Sequence, residues 1–234
     1  MFKLKVTLLT HTPEPEKIVA AAARCCYSND DPNNLLDKMT DEKAAKFLQK
    51  LNDLGHQSPI EHVSFTFSIS GVSRALLAQI TRHRLASFSV RSQRYCGFDK
   101  ADFIKPPSIA NSNVENIFDE ALIETKKNYD ALIDAGILKE DARMVLPNAA
   151  ATSMVLTMNA RELLHFFSLR CCTRAQWEIR DLANEMATIV KKIAPNLFAK
   201  AGAACVQLGY CPEGSFSCGK APSLEKLLKA YNNN

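Results

Sequence analysis

Between His62 and Phe98 the chain contains no carboxylate, yet Arg74, Arg82, Arg84, Arg91 and Arg94 all fall there. The acids that would ordinarily pair with such guanidiniums are missing, which weakens the reading of a plain solvated basic strand. No apolar run reaches the roughly 18–20 residues needed to span a bilayer, so no membrane partner is expected. Met1-Phe2-Lys3-Leu4-Lys5 alternates as a strand does and does not read as a signal peptide; a cytoplasmic location is the expectation. The glycines form neither GxGxxG nor GxxxxGK(S/T), so a Rossmann fingerprint and a P-loop are both absent. GxSxG and HExxH are absent as well, which removes a hydrolase elbow and a zincin helix. His56 and His62 have no third ligand at a convincing spacing, and Cys205, Cys211 and Cys218 lack CxxC pairing, so no metal is expected. Without an internal repeat or a low-complexity linker, residues 1–234 are expected to form one domain, with 205–234 as a cysteine-bearing C-terminal extension.

What is present fits an ordinary globular chain. At 234 residues it can bury about 70–75% of its unfolded surface. Its net charge of +4 is too small for a general polyanion binder, so the informative charge is local. Eight cysteines, including the adjacent pairs Cys25-Cys26 and Cys171-Cys172, suit reduced thiols better than a disulfide framework.

Periodicity predicts strands at Phe2–Leu9 and His62–Ser70, the second broken by Gly71, and less firmly at Ser87–Tyr95 and Ala151–Met158. Helices are predicted at Pro13–Cys26, from Thr40 to Gly55, and at Val72–Thr81, Asn113–Ala135 and Glu140–Leu146. A further helix follows Asn159, one opens at a Thr173–Gln176 capping box and ends at Pro195, and the last covers Ser223–Tyr231. Asn29–Asn34 and Pro106-Pro107 read as loops. The fold class expected is α/β of the α+β type: a mixed, largely antiparallel sheet flanked by long helices.

The chemistry concentrates in three places. In Arg82-His83-Arg84, an extended backbone puts both arginines on one side and His83 on the other. Ser92 and Arg94 repeat that spacing with a hydroxyl and a guanidinium fork, a shape suited to phosphate. Gly55 to His62 joins a helix end to a strand start, where Ser58 and Glu61 could meet a ligand. Arg161 and His165 stand one helical turn apart, and Arg170 and Arg174 flank a helix start that already favours anions. Together these point to a phosphorylated, nucleotide-like ligand. Cys96 has no evident activating base and reads as a small apolar filler. Two other readings remain: a nucleic-acid module with Phe88 and Tyr95 stacking bases, disfavoured by the small net charge, and a catalytically silent nucleotide sensor.

Arg82-His83-Arg84, seven residues, then Ser92 resembles the signature of the flavin-dependent thymidylate synthases. Gly55-His56-Gln57-Ser58-Pro59-Ile60-Glu61-His62 resembles that family's GHxTPxEH segment, and Ala142-Arg143-Met144-Val145-Leu146-Pro147 its ARxxLP segment. Asn159-Ala160-Arg161, Leu169-Arg170 and Ala175-Gln176-Trp177-Glu178-Ile179 resemble its C-terminal block, in the same order.

The resemblance implies an FAD enzyme, reduced by NADPH, that methylates dUMP with 5,10-methylenetetrahydrofolate and uses no cysteine nucleophile. It implies FAD contacts from Ser58, Glu61, Arg82, His83, Arg84, Asn159, Arg161 and His165. For dUMP it implies Gln79, Ser92, Gln93, Arg94, Arg143 and Arg170. Arg170, Ser92 and His56 are the expected catalytic positions, with Arg170 opposing charge at the uracil carbonyls and His56 orienting flavin or folate. Val90 stands where the family carries an acid toward dUMP, Arg174 where it often has histidine, His165 where it often has asparagine, and Cys26 where serine is frequent. A homotetramer with active sites shared between subunits is implied as well, with neither nucleic acid nor membrane as partner.

Overall fold

The structure, a computed structural model, describes residues 3–98 and 103–232. Along the chain come β1 (Lys5–His11), α1 (Pro15–Cys25), α2 (Pro32–Asp37), α3 (Asp41–Leu54), β2 (Ser64–Ser73), α4 (Arg74–Ile80) and β3 (Ala86–Val90). Then follow α5 (Pro107–Ala110), α6 (Glu115–Asp134), α7 (Lys139–Ala142), β4 (Ala151–Asn159), α8 (Ala160–Arg170), α9 (Trp177–Ile193), α10 (Ala204–Leu208) and α11 (Leu224–Asn232). The strands form a sheet in the order β1-β2-β4-β3. Ala160 N–H donates to Val63 O (2.9 Å) and Arg74 N–H to Ala150 O (3.0 Å), so β2 and β4 run antiparallel, as the α+β expectation requires. No helix among the described residues is long and apolar enough to cross a membrane.

The alternation read from Val63 onward is real: Val63, just before β2, and Phe65, Phe67 and Ile69 within it are fully buried, while Ser64, Thr66 and Ser68 are partly exposed. Gly71, expected to end this strand, lies inside it. Its φ is 71°, and a Cβ there would stand 2.4 Å from the Lys3 carbonyl oxygen. Glycine therefore serves close approach of the backbone just ahead of β1 rather than chain termination. Strand β2 continues to Ser73, whose hydroxyl accepts from Leu76 N–H (3.0 Å) and caps α4. Three other expectations are corrected. Asp31 caps a short helix, α2, inside the stretch read as loop, and Pro107 opens α5, because proline suits a first helical turn. Thr173 does not cap α9; Gln176 does, its side chain accepting from Glu178 and Ile179 N–H. Phe2, the first residue of the predicted N-terminal strand, lies outside the described residues.

The chain passes repeatedly between two compact units. The first takes in residues up to Thr7, Ser68–Arg82 and Phe88–Leu156; its apolar centre gathers Phe98, Tyr129, Ala142 and Ala150 under Phe103 and Leu146. The second takes in Leu8–Phe67, His83–Ser87 and the chain from Thr157. There Phe65 and Phe167 both pack edge-on to Phe198, and α3 is fixed by its Thr40 cap and by Gly55 at φ 68°. Glu16 accepts from the backbone N–H groups of Asn196 (2.7 Å) and Leu197 (3.0 Å), tying α1 to the chain beyond α9.

Candidate active site

In the second unit the site grows from the start of α8. Asn159 caps this helix by accepting from Glu162 N–H (2.8 Å), as its sequence position predicts. The cap holds Glu162 in the first turn, where the helix dipole favours an acid, with its side chain turned inward and buried. Glu162 Oε1 lies 2.9 Å from His83 Nδ1, and His83 is only 3% exposed. On the other side of the ring, Arg170 Nε–H donates to His83 Nε2 at 3.2 Å. A guanidinium can only donate, so Nε2 must be the acceptor and Nδ1 the protonated nitrogen that donates to Glu162. Burial, the largest influence, holds the His83 pKa below its ordinary 6.5; Arg170 and His165 act in the same sense, and Glu162 opposes them. Phe166 packs edge-on against the ring at 5.0 Å and fixes its tilt. The outcome is a relay of fixed geometry, Glu162–His83–Arg170, that aims one guanidinium.

Around this relay lie the more exposed groups. Arg161 and His165 both emerge from α8, and Arg161 pairs with Glu61. Ser58 and His56 are exposed on the segment before β2. His56 borders a cavity of about 370 Å³ together with Arg24, Tyr27 and Lys50. Arg84 is exposed and has no carboxylate within ion-pair distance among the described residues.

The first unit holds the other predicted residues. Arg74 and Arg143 are both partly buried, and burial together with the Arg143 charge pushes the Arg74 pKa down. Neither has a carboxylate ion pair among the described residues, and like charges placed so close favour an anion between them. Gln79 lies half-buried on α4, its amide donating to Ala75 O (3.3 Å), and Arg82 is exposed just beyond that helix. Ser92 Oγ accepts from Arg94 N–H (3.2 Å), and its carbonyl accepts from Cys96 N–H (2.9 Å), which makes a tight turn. No carboxylate or imidazole hydrogen-bonds that hydroxyl among the described residues, so the turn presents a binding group rather than an activated nucleophile. Gln93 is half-buried in the same turn. Arg94 pairs with Glu140 and stacks over the Tyr95 ring at 5.4 Å. Val90 ends β3 half-buried, and Arg91 beyond it is exposed.

The acid-free stretch is thus compensated in part by tertiary structure: Glu162 serves His83, and Glu140 serves Arg94. Sequence reasoning missed both, and Arg74 as the neighbour of Arg143. Glu162 gave one signal, its place three residues after a capping Asn159, but that placement predicts an exposed first-turn acid.

Residues 7–196 match the Thy1 family model, described as thymidylate synthase complementing protein. The chain belongs to this family. It is 50% identical over 241 residues to a flavin-dependent thymidylate synthase of Clostridium tetani, covering 96% of each chain. With the enzyme of that name from Geobacter sulfurreducens it shares 49% over 229 residues, covering 97% of this chain and 98% of the other. Among solved structures, a UMP/dUMP methylase from Streptomyces cacaoi bound with 5-Br dUMP superposes with a TM-score of 0.75 at 26% identity, covering 84% of this chain and 94% of that one. A flavin dinucleotide carries two phosphates and asks for cations that have no internal partner. In this Thy1 chain Arg84 is a cation with no carboxylate ion pair among the described residues, and the cavity that His56 shares with Arg24, Lys50 and Tyr27 sets further charge beside an aromatic ring. The residues present therefore fit the cofactor.

Proposed function

We propose that this enzyme methylates C5 of dUMP to give dTMP, taking the carbon from 5,10-methylenetetrahydrofolate. A bound FAD, reduced by NADPH, would supply the hydride, and a proton completes the two hydrogens needed, so folate leaves as tetrahydrofolate. The observation that carries this reading is the buried Glu162–His83–Arg170 relay within a chain of the Thy1 family.

The chain's own residues hold and polarise. Arg170, locked against His83 Nε2, would set its charge at the uracil carbonyls and stabilise the negative charge that grows as C5 becomes nucleophilic. Because His83 keeps its proton on Nδ1, it accepts from Arg170 without competing for the substrate. Arg143, with Arg74 beside it, would take the dUMP phosphate, and Ser92, Gln93, Arg94 and Gln79 would fix sugar and base. Ser58, Glu61, Arg82, Arg84, Asn159, Arg161 and His165 would hold FAD, with His83 supporting them from the interior and His56 orienting the flavin or folate. Association into a homotetramer is part of this reading; Leu85 and Tyr95, about 70% exposed and close in sequence to Arg84 and Arg94, support it.

The test is dTMP formation from dUMP, methylenetetrahydrofolate and NADPH, with and without FAD. Product that appears only with FAD supports the reading. A correctly folded protein that stays colourless with FAD and yields no dTMP removes it.

A further inference from the structure

Two cavities of the second unit meet along α3. The cavity of about 370 Å³ that His56 borders shares Arg24, Phe47 and Lys50 with a larger one of about 540 Å³. The larger cavity continues past these shared residues to Lys46, Lys43 and Lys38. Together they form one groove that follows α3 from its last residue, Leu54, back to Lys43 in its first turn, about 17 Å at the helical rise. His56 and the shared residues belong to the cofactor region; Lys38, Lys43 and Lys46 have no part in it.

The charges along this groove are ordered. Lys43, Lys46 and Lys50 stand at i, i+3 and i+7, so they share one face of α3, spaced by about 4.5 and 6 Å along its axis. Arg24, in the last turn of α1, adds a guanidinium where the two cavities join. Among the described residues, Arg24, Lys46 and Lys50 have no carboxylate within ion-pair distance. Lys38 pairs with Asp30 at 3.5 Å, and Lys43 Nζ donates to Lys38 O (3.0 Å). Asp30 is the one acid among the described residues that border either cavity. The rest of the lining is apolar and fixed. Leu35 and Met39 are buried, and half-buried Phe47 packs on the cluster of Ala20, Ala21, Met39 and Ala44. A lysine row is ordinarily a solvated helix face. Here it borders a concave site with a rigid apolar wall, in the volume range of small-ligand sites.

We propose that this groove binds the glutamate tail of the folate co-substrate and favours tails lengthened by further γ-linked glutamates. The proposal rests on the folate reading given above. Each γ-linked unit brings one carboxylate and two methylenes. The methylenes suit the wall of Met39 and Phe47, and successive carboxylates suit Lys50, Lys46 and Lys43 in turn. A repeating row of cations matches a repeating row of anions. A compact diphosphate is better served by guanidinium forks converging on one point, and Arg24 is the one arginine that borders the groove among the described residues. A nucleic acid asks for exposed rings along the row, and the larger cavity offers only half-buried Phe47.

The test is calorimetry of the full chain loaded with FAD, titrated with tetrahydrofolate that carries one or four glutamates. No NADPH or dUMP is present, so no turnover occurs. An exposed ion pair is worth up to about fivefold in affinity, so the longer tail should bind at least about tenfold more tightly at low salt, and high salt should shrink that advantage. Lys46→Gln with Lys43→Gln should lower the advantage at least about threefold, and Lys46→Glu should lower it further. Lys46→Glu leaves the Lys43–Lys38 contact in place, so displacement of α2 cannot account for its effect. Both variants should bind the single-glutamate form as the parent does, and Lys127→Gln, on α6 of the first unit, should match the parent throughout. Equal affinity of the parent for the two tails, or a full tail advantage in Lys46→Glu, would overturn the proposal and leave the enzymatic reading standing. Loss of the advantage to equimolar tripolyphosphate would mark a general polyanion site and overturn it as well; retention supports it. If neither folate binds to protein that has taken up FAD, the folate reading falls and the proposal falls with it.

Discussion

Glu162→Ala tests the internal relay most sharply. Glu162 and His83 are both about 95% buried, and the carboxylate accepts the Nδ1–H of His83 at 2.9 Å. Its removal leaves that N–H buried without an acceptor, which costs about 1–3 kcal/mol. For a chain of this length each kcal/mol lowers the melting midpoint by about 2–4 °C, so a fall of about 2–12 °C is expected. Catalysis should suffer separately. With Glu162 gone, only the Arg170 donor still selects the Nδ1–H tautomer, and the ring, no longer anchored through Nδ1, loses its alignment with Arg170 Nε. A lost hydrogen bond to a charged group is worth about 1.5–3 kcal/mol, so kcat should fall at least about tenfold. Glu162→Gln keeps an acceptor oxygen and should preserve most of both properties. Calorimetry and steady-state dTMP formation on the three proteins decide the matter. If the alanine and glutamine forms behave alike, or if alanine leaves melting unchanged, the relay does not work as described.

Three further outcomes are expected. Because burial holds the His83 pKa below 6.5, the unfolded chain takes up a proton before the folded one as pH falls, so stability drops below about pH 6.5 and levels off once His83 itself protonates. Urea titrations at pH 8 and pH 5.5 should show this slope and its reduction in His83→Gln; a parent chain that gains stability on acidification would contradict it. Arg170→Ala should lower turnover at least about tenfold while FAD retention measured by absorbance changes little, and equal losses would show that Arg170 chiefly holds the cofactor. Gly71→Ala should cost about 2 kcal/mol or more in urea unfolding, since its φ of 71° is strained for alanine and its Cβ would meet the Lys3 carbonyl; an effect within 0.5 kcal/mol, about the spread of neutral surface changes, would refute that.

Much of the fold was legible because its signals are local. The α3 helix carries its own start in Thr40 and its own stop in Gly55, and β2 announces itself by strict alternation of buried and exposed side chains. Gly71 misled because glycine breaks strands and also admits close neighbours, and only the neighbour Lys3 distinguishes the two. The Thr173 box misled because Gln176, one residue before Trp177, supplies the cap itself. At the site, Arg82-His83-Arg84 and Ser92 stood out as charge without local acids. The direction of each side chain did not, because Glu162 meets His83 across 79 residues of sequence and Arg170 across 87.

The central claim is tested most directly by an anaerobic single turnover. Enzyme loaded with FAD and reduced beforehand is mixed with dUMP and methylenetetrahydrofolate, with no NADPH present. The account predicts one dTMP and one tetrahydrofolate for each flavin reoxidised, and no dihydrofolate. Dihydrofolate among the products, or dTMP formed while the flavin stays reduced, would contradict it.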